Sequence, residues 1–249
     1  MLADAHRPLD GKVAIVYGAG AIGSAVAGAF AGAGARVHLA ARTPATLEAV
    51  ADRIRATGGD VHTAVVDVLN PTAVQEHADR VAGHAGHVDI GFNLISHGDV
   101  HGTPMIDMTV EAYVRPVDSI VRSTFLTSQA IARHMVRQPT GGVILFFGGE
   151  GEPTRSYAVG GTLVSFFAQE TMRRQLACEL GRQGVRVVTI VTAGIPTSAG
   201  ETTDMADANM LGRAATNDDV GIAAVFAASD AAHMMTAATL NISGGFVID

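Results

Sequence analysis

The segment Gly18-Ala19-Gly20-Ala21-Ile22-Gly23 has the G-x-G-x-x-G spacing and directly follows the apolar run Val13-Ala14-Ile15-Val16-Tyr17. Between a buried strand and a helix, such a turn aims backbone N–H groups and a helix N-terminus at a pyrophosphate. In a chain with 29 glycines the spacing alone is weak, and its place after a strand gives it weight. Gly18, Gly20, Ile22 and Gly23 are therefore the candidate phosphate-binding residues. The second apolar run ends Ala40-Ala41-Arg42-Thr43, with no acid to take a ribose 2′-hydroxyl. An arginine there suits a 2′-phosphate, so Arg42 is the candidate clamp, Thr43 a second contact, and NADP(H) the expected cofactor.

Other residues could move protons. Ser96, His97, Asp99 and His101 follow a fourth apolar run, and Glu150, Glu152, Arg155 and Tyr157 follow a fifth. Carboxyl ends of parallel strands are where open α/β sheets bind ligands. His97 can exchange a proton near neutral pH, and Tyr157 or Glu150 could donate one from a perturbing environment. The same residues also read as loop histidines, solvated acids and a packing aromatic. The alternation of His97, Asp99 and His101 invites a metal reading, but spacing supplies neither geometry nor second-shell support, so no metal is expected. Cys178, in the apolar rhythm of a helix, reads as a buried small hydrophobe.

These residues need a scaffold, and strands alternate with helices from end to end. Strands are expected over 13–17, 36–41, 61–66, 88–95, 143–147, 185–191 and 239–242. Helices are expected over 24–33, 44–57, 71–83, 109–138, 162–181 and 218–228. Thr43 and Pro44 suit a helix start. Alternation of this kind gives an α/β fold: a single-domain, doubly wound Rossmann arrangement with a seven-stranded parallel sheet flanked by helices. A chain of 249 residues, 48% hydrophobic and 16% charged, can bury such a core. A net charge of −7 argues against nucleic acid, and no apolar run is long enough to span a membrane. One cysteine and no signal-like N-terminus point to the cytoplasm.

Several ordered pieces resemble the short-chain dehydrogenase/reductase family along nearly the whole chain. After the glycine turn come Val66-Asp67-Val68, Val88-Asp89-Ile90-Gly91-Phe92-Asn93 and Gly141-Gly142-Val143-Ile144. Leu176-Ala177-Cys178-Glu179-Leu180, Ala193-Gly194-Ile195-Pro196-Thr197, Ala227-Ala228-Ser229-Asp230 and Ser243-Gly244-Gly245 follow. The resemblance implies that Asp67 and Val68 contact adenine and that Asn93 supports the ribose side, with Ser96 a further cofactor-binding candidate. It implies that Ile195 and Thr197 hold the nicotinamide carboxamide, with Gly194 a cofactor-binding candidate beside them. It also implies a lid over 198–211, whose Met205, Met210 and Leu211 offer adaptable apolar surface, and a homotetramer or homodimer built on the long helices. Asp67 also reads as a helix cap, and Asn93 as a strand-end turn residue.

The departures are as informative. The family pairs Tyr and Lys with Ser and Asn, the lysine lowering a phenol pKa near 10. Counting back from Glu179 puts Thr162 at the tyrosine position, Phe166 at the lysine, Gly149 at the serine and Ile120 at the asparagine. Aligning Tyr157 instead places Gly161 where lysine belongs, and Lys12 is the only lysine in the chain. The turn is also one residue shorter than the family's. Two functions are consistent with this: an NADP(H)-dependent reductase acting on a small C=N, C=C or C=O substrate through a non-standard site, or a catalytically inactive NADP(H)-binding pseudoenzyme (sensor, scaffold or partner subunit).

Overall fold

The computed structural model describes residues 7–95, 98, 100–149, 158–196 and 199–248. Val13–Tyr17 (β1) leads into Ala21–Gly32 (α1), Arg36–Ala41 (β2), Pro44–Ala56 (α2) and Val61–Val65 (β3). Pro71–Ala85 (α3), Ile90–Asn93 (β4), Val110–Met135 (α4), Gly142–Gly149 (β5) and Thr162–Leu180 (α5) follow. The chain closes with Val185–Thr192 (β6), Ala199–Ala208 (α6), Asn217–Ala228 (α7) and Ala238–Asn241 (β7). The seven strands form one parallel sheet in the order β3-β2-β1-β4-β5-β6-β7. Its carboxyl ends therefore share one edge. The strand order reverses between β1 and β4, which is where ligands sit in such folds.

Both faces of the sheet are covered, and strand alternation feeds each. From β1, Ala14 and Val16 join a core with Val26 and Phe30 of α1, Leu47 and Ile54 of α2 and Val220 of α7. Val13, Ile15 and Tyr17 join the other core, with Val74 of α3, Ile131 of α4 and Ala177 of α5. Burying each large apolar side chain of β1 contributes about 1.5–3 kcal/mol, which fixes the strand's depth and register.

On the side of α3, polar side chains are drawn in as well. His38 of β2 is buried and stacks on its register partner His62 of β3, with ring centroids 5.0 Å apart. His84 of α3 meets His62 edge-on, and buried His77 meets the Tyr17 hydroxyl at 3.1 Å. Burial drives His38 down to about 4, helped by nearby His62 and Arg36. Burial likewise lowers His77 to about 4 and pushes the Tyr17 phenol up.

Several boundaries differ from the sequence expectation. The regular part of β4 is only Ile90–Asn93. Asp89, just before it, keeps backbone bonds to Val13 and Val143 and also accepts the Val13 N–H on its side chain at 2.8 Å. β5 is longer than expected, because Gly142 and Gly149 continue its ladder with β6. Cys178 is exposed, not buried. α5 buries Thr162, Ser165, Gln169, Arg173 and Ala177, and the residue after Ala177 points about 100° away from that stripe.

Candidate functional site

At the switch point the glycines have separate jobs. Gly18 has φ +116°, and a Cβ there would fall on the Leu94 carbonyl, so β1 and the segment after β4 touch through backbone. A Cβ on Gly23 would strike the Gly18 carbonyl, which requires glycine where α1 passes under its own turn. Gly20 is different: nothing lies within 4 Å of its Cβ position. It is the N-cap of α1 and supplies no side chain to the first-turn amides. α1 starts at Ala21, three residues before the expected 24, so Ile22 and Gly23 belong to its first turn. An uncapped helix start facing open space is what a pyrophosphate requires, and the residues present fit that group.

The neighbouring strand ends converge on this edge. Arg42 and Thr43 follow β2 and are both exposed. Arg36 and Arg55 pair with carboxylates, while Arg42 enters no ion pair among the described residues. Thr43 is the N-cap of α2, but its hydroxyl makes no capping bond. Asp67 is exposed and accepts the Leu69 N–H at 3.1 Å in a local turn, and the cap of α3 is Asn70 instead. Val68 is buried. Asn93 ends β4, its Nδ2 donating to Ser123 Oγ of α4 at 2.9 Å, and its buried Oδ1 has no partner. Gly194 has φ +122° and its N–H donates to Thr192 Oγ1 at 3.2 Å; Ile195 packs partly buried against the core.

The segment after β6 folds over this edge. A Cβ on Gly194 would come within 2.9 Å of Met205 Cε, so α6 leans on the bare glycine. Asn209 and Met210 lie against Gly244 and Gly245, and the Leu211 N–H donates to the Gly244 carbonyl at 3.1 Å. Most of the expected lid is thus a helix, tethered at its far end.

At the positions where the family resemblance expects chemistry, Ile120 is buried in α4. Gly149 ends β5. Thr162 is the first residue of α5, buried, with an Oγ1 that has no partner. Phe166 is near enough to Gly148 that a Cβ there would touch its ring. The candidates Ser96, His97, Glu150, Tyr157 and Thr197 lie outside the described residues. Among the described residues no group of three or more His, Cys, Asp or Glu is placed to hold a metal. Among those residues no helix is long and apolar enough to cross a membrane.

Two polar features of the structure escaped the sequence reading. Arg53 of α2 donates to Ser24 Oγ of α1 at 2.9 Å beside the glycine turn. Further down α5, buried Arg173 donates to Glu170 through Nε and Nη2 at 3.0 and 2.6 Å. Glu170 also accepts from Thr189 of β6 and Thr239 of β7. Burial pushes its carboxyl up, but Arg173 and the threonines outweigh burial and hold it below the usual range. The Arg53–Ser24 contact and the threonine bonds to Glu170 join different elements, and nothing in the local pattern announces them, whereas Arg173 and Glu170 pair at i,i+3 within α5.

Comparison with known proteins matches this geometry. A family model described as "Enoyl-(Acyl carrier protein) reductase" matches residues 18–247. The chain is 33% identical to D-threitol dehydrogenase of Mycolicibacterium smegmatis, over 96% of this chain and 94% of that protein. It is 30% identical to 7alpha-hydroxysteroid dehydrogenase of Escherichia coli, over 96% and 95%. The crystal structure of a short-chain type dehydrogenase/reductase from Mycobacterium marinum superposes with TM-score 0.87 at 30% identity, covering 98% of each chain. The chain belongs to the short-chain dehydrogenase/reductase family and is an oxidoreductase of that type, a family that works with a nicotinamide cofactor.

Proposed function

We propose that this protein is an NADP(H)-dependent reductase with a non-standard active site, acting on a small C=N, C=C or C=O substrate. The observation that carries the reading is Arg42, an exposed cation unpaired among the described residues, beside an uncapped α1 start and open Gly20. A bound nicotinamide would supply the hydride. The chain's own part is to hold and orient it. In this reading the first-turn amides of α1 take the pyrophosphate, and Arg42 and Thr43 the 2′-phosphate. Asp67 and Val68 border the adenine, and Asn93 and Ser96 the ribose side. Gly194, Ile195 and Thr197 hold the carboxamide, and residues 198–211 close as the lid.

The proton has no Tyr–Lys pair to come from, since Thr162 and Phe166 stand at those positions. Tyr157, His97 and Glu150 are the candidate donors. An imine, iminium or conjugated enone suits such a site, because it is already protonated or spreads developing charge. Exposed Phe125 on α4 and Val164 and Phe167 on α5 favour a homodimer or homotetramer through those helices.

The test is NADPH consumption against panels of carbonyl, imine and enone compounds. Turnover in any panel supports the reading, and tight NADPH binding with no oxidation in every panel overturns it. That second outcome would leave an inactive cofactor-binding protein, a reading favoured by Phe166 in place of lysine. Tyr157→Phe should abolish turnover if this phenol is the donor, and undiminished turnover would remove it from the site.

A further inference from the structure

A cavity of ≈ 530 Å³ adjoins the glycine turn, lined by Gly20, Ala21 and Ser24, by Thr46 and Arg53 of α2, and by Asp218 of α7. Thr46 and Arg53 lie seven residues apart, two helical turns, on the face of α2 that looks toward α1. Ser24 sits in the first turn of α1, its N–H donating to the Gly20 carbonyl at 2.8 Å. Because Arg53 Nη2 is bound to Ser24 Oγ, its guanidinium is held one turn behind the open helix start. Of the other arginines flanking this region, Arg36 pairs with Asp60 and Arg55 with Glu48 and Asp52, while Arg42 enters no ion pair among the described residues. Arg53 is paired only to a hydroxyl among the described residues, so its charge stays available to an anion. Asp218 is the carboxylate in the lining and opposes one.

We infer that Arg53, steered by Ser24, is a second cationic contact for the 2′-phosphate, acting together with Arg42. This rests on the NADP(H) reading above. One guanidinium follows β2 and the other rises from α2, so the phosphate is held from two elements, with Asp218 limiting its affinity.

The experiment measures binding of 2′,5′-ADP and of 5′-AMP to the full chain by titration calorimetry. The forms compared are wild type and the variants Arg42→Gln, Arg53→Gln, Arg53→Lys and Asp218→Asn. Arg53→Gln should weaken 2′,5′-ADP about tenfold and leave 5′-AMP within about twofold, because only the phosphate contact is lost. Arg53→Lys should recover part of that loss, and Asp218→Asn should tighten 2′,5′-ADP alone. If wild type prefers 2′,5′-ADP and Arg42→Gln removes the preference while Arg53→Gln does not, the Arg53 assignment fails and the cofactor reading stands. If wild type binds both fragments equally, the NADP(H) reading fails and takes this inference with it. Equal losses of both fragments in Arg53→Gln would show a structural role and also overturn the assignment.

Discussion

Acid should destabilise this protein through two buried imidazoles, and His38→Leu should blunt the effect. His38 and His77 are each lowered from 6.5 to about 4, by burial first. His38 faces His62, Arg36, Asp60 and His84, and His77 faces Arg80 and His38, so most neighbouring charge also resists protonation. The sign follows from proton counts. Below pH 6.5 the unfolded chain takes up protons that the folded chain refuses, so stability falls as pH drops and levels off below about 4. At 1.36 kcal/mol per pH unit, pH 5 costs about 2 kcal/mol for each imidazole, or about 4 for both. That is a large share of a typical 5–15 kcal/mol. His38 Nε2 is buried without a partner, so leucine gives up no hydrogen bond from that nitrogen. Urea unfolding at pH 7 and pH 5 reads the difference. The stabilisation of His38→Leu over wild type should be about 2 kcal/mol larger at pH 5, roughly 1 M in urea midpoint. An equal effect at both pH values would refute the reasoning.

Arg42→Ala should weaken NADPH binding at least about tenfold while leaving NADH nearly unchanged, measured by fluorescence titration; equal losses would sink the clamp assignment. Gly18→Ala forces a Cβ onto the Leu94 carbonyl at φ +116° and should cost about 2–6 kcal/mol. Thermal unfolding checks this, and a melting temperature within a degree or two of wild type would contradict the described turn.

Period and punctuation made much of the architecture readable. β1 and β2 have the bounds their apolar runs suggest, since both runs are short, covered on both faces and ended by Gly18 and Arg42. α5 starts at Thr162, after two glycines, as expected. β4 was overread because its flanks stay extended: Leu94 still donates to Tyr17 at 2.6 Å, but the regular ladder has ended. Cys178 was misplaced because one step around a helix separates the buried stripe from solvent. The site divides in the same way. Gly18, Gly20, Gly23 and Arg42 stand out as candidates in the sequence because glycine spacing and a strand-end cation are local features. Arg53 against Ser24 and His38 against His62 depend on how elements pack side by side, and no window of sequence contains both members.

The Arg173–Glu170 pair has an evolutionary consequence. Because Glu170 ties α5 to β6 and β7 while Arg173 is buried beside it, neither residue can drift alone. Losing one partner strands a buried charge at about 3–5 kcal/mol, whereas replacing both removes that charge and leaves only the Thr189 and Thr239 hydroxyls to find another acceptor. Relatives of this chain should therefore keep the pair or lack it entirely, and half-pairs should be rare. Residues 170 and 173 would then change as a unit, a correlated signature that alignment can detect without reference to the chemistry at the other end of the helix.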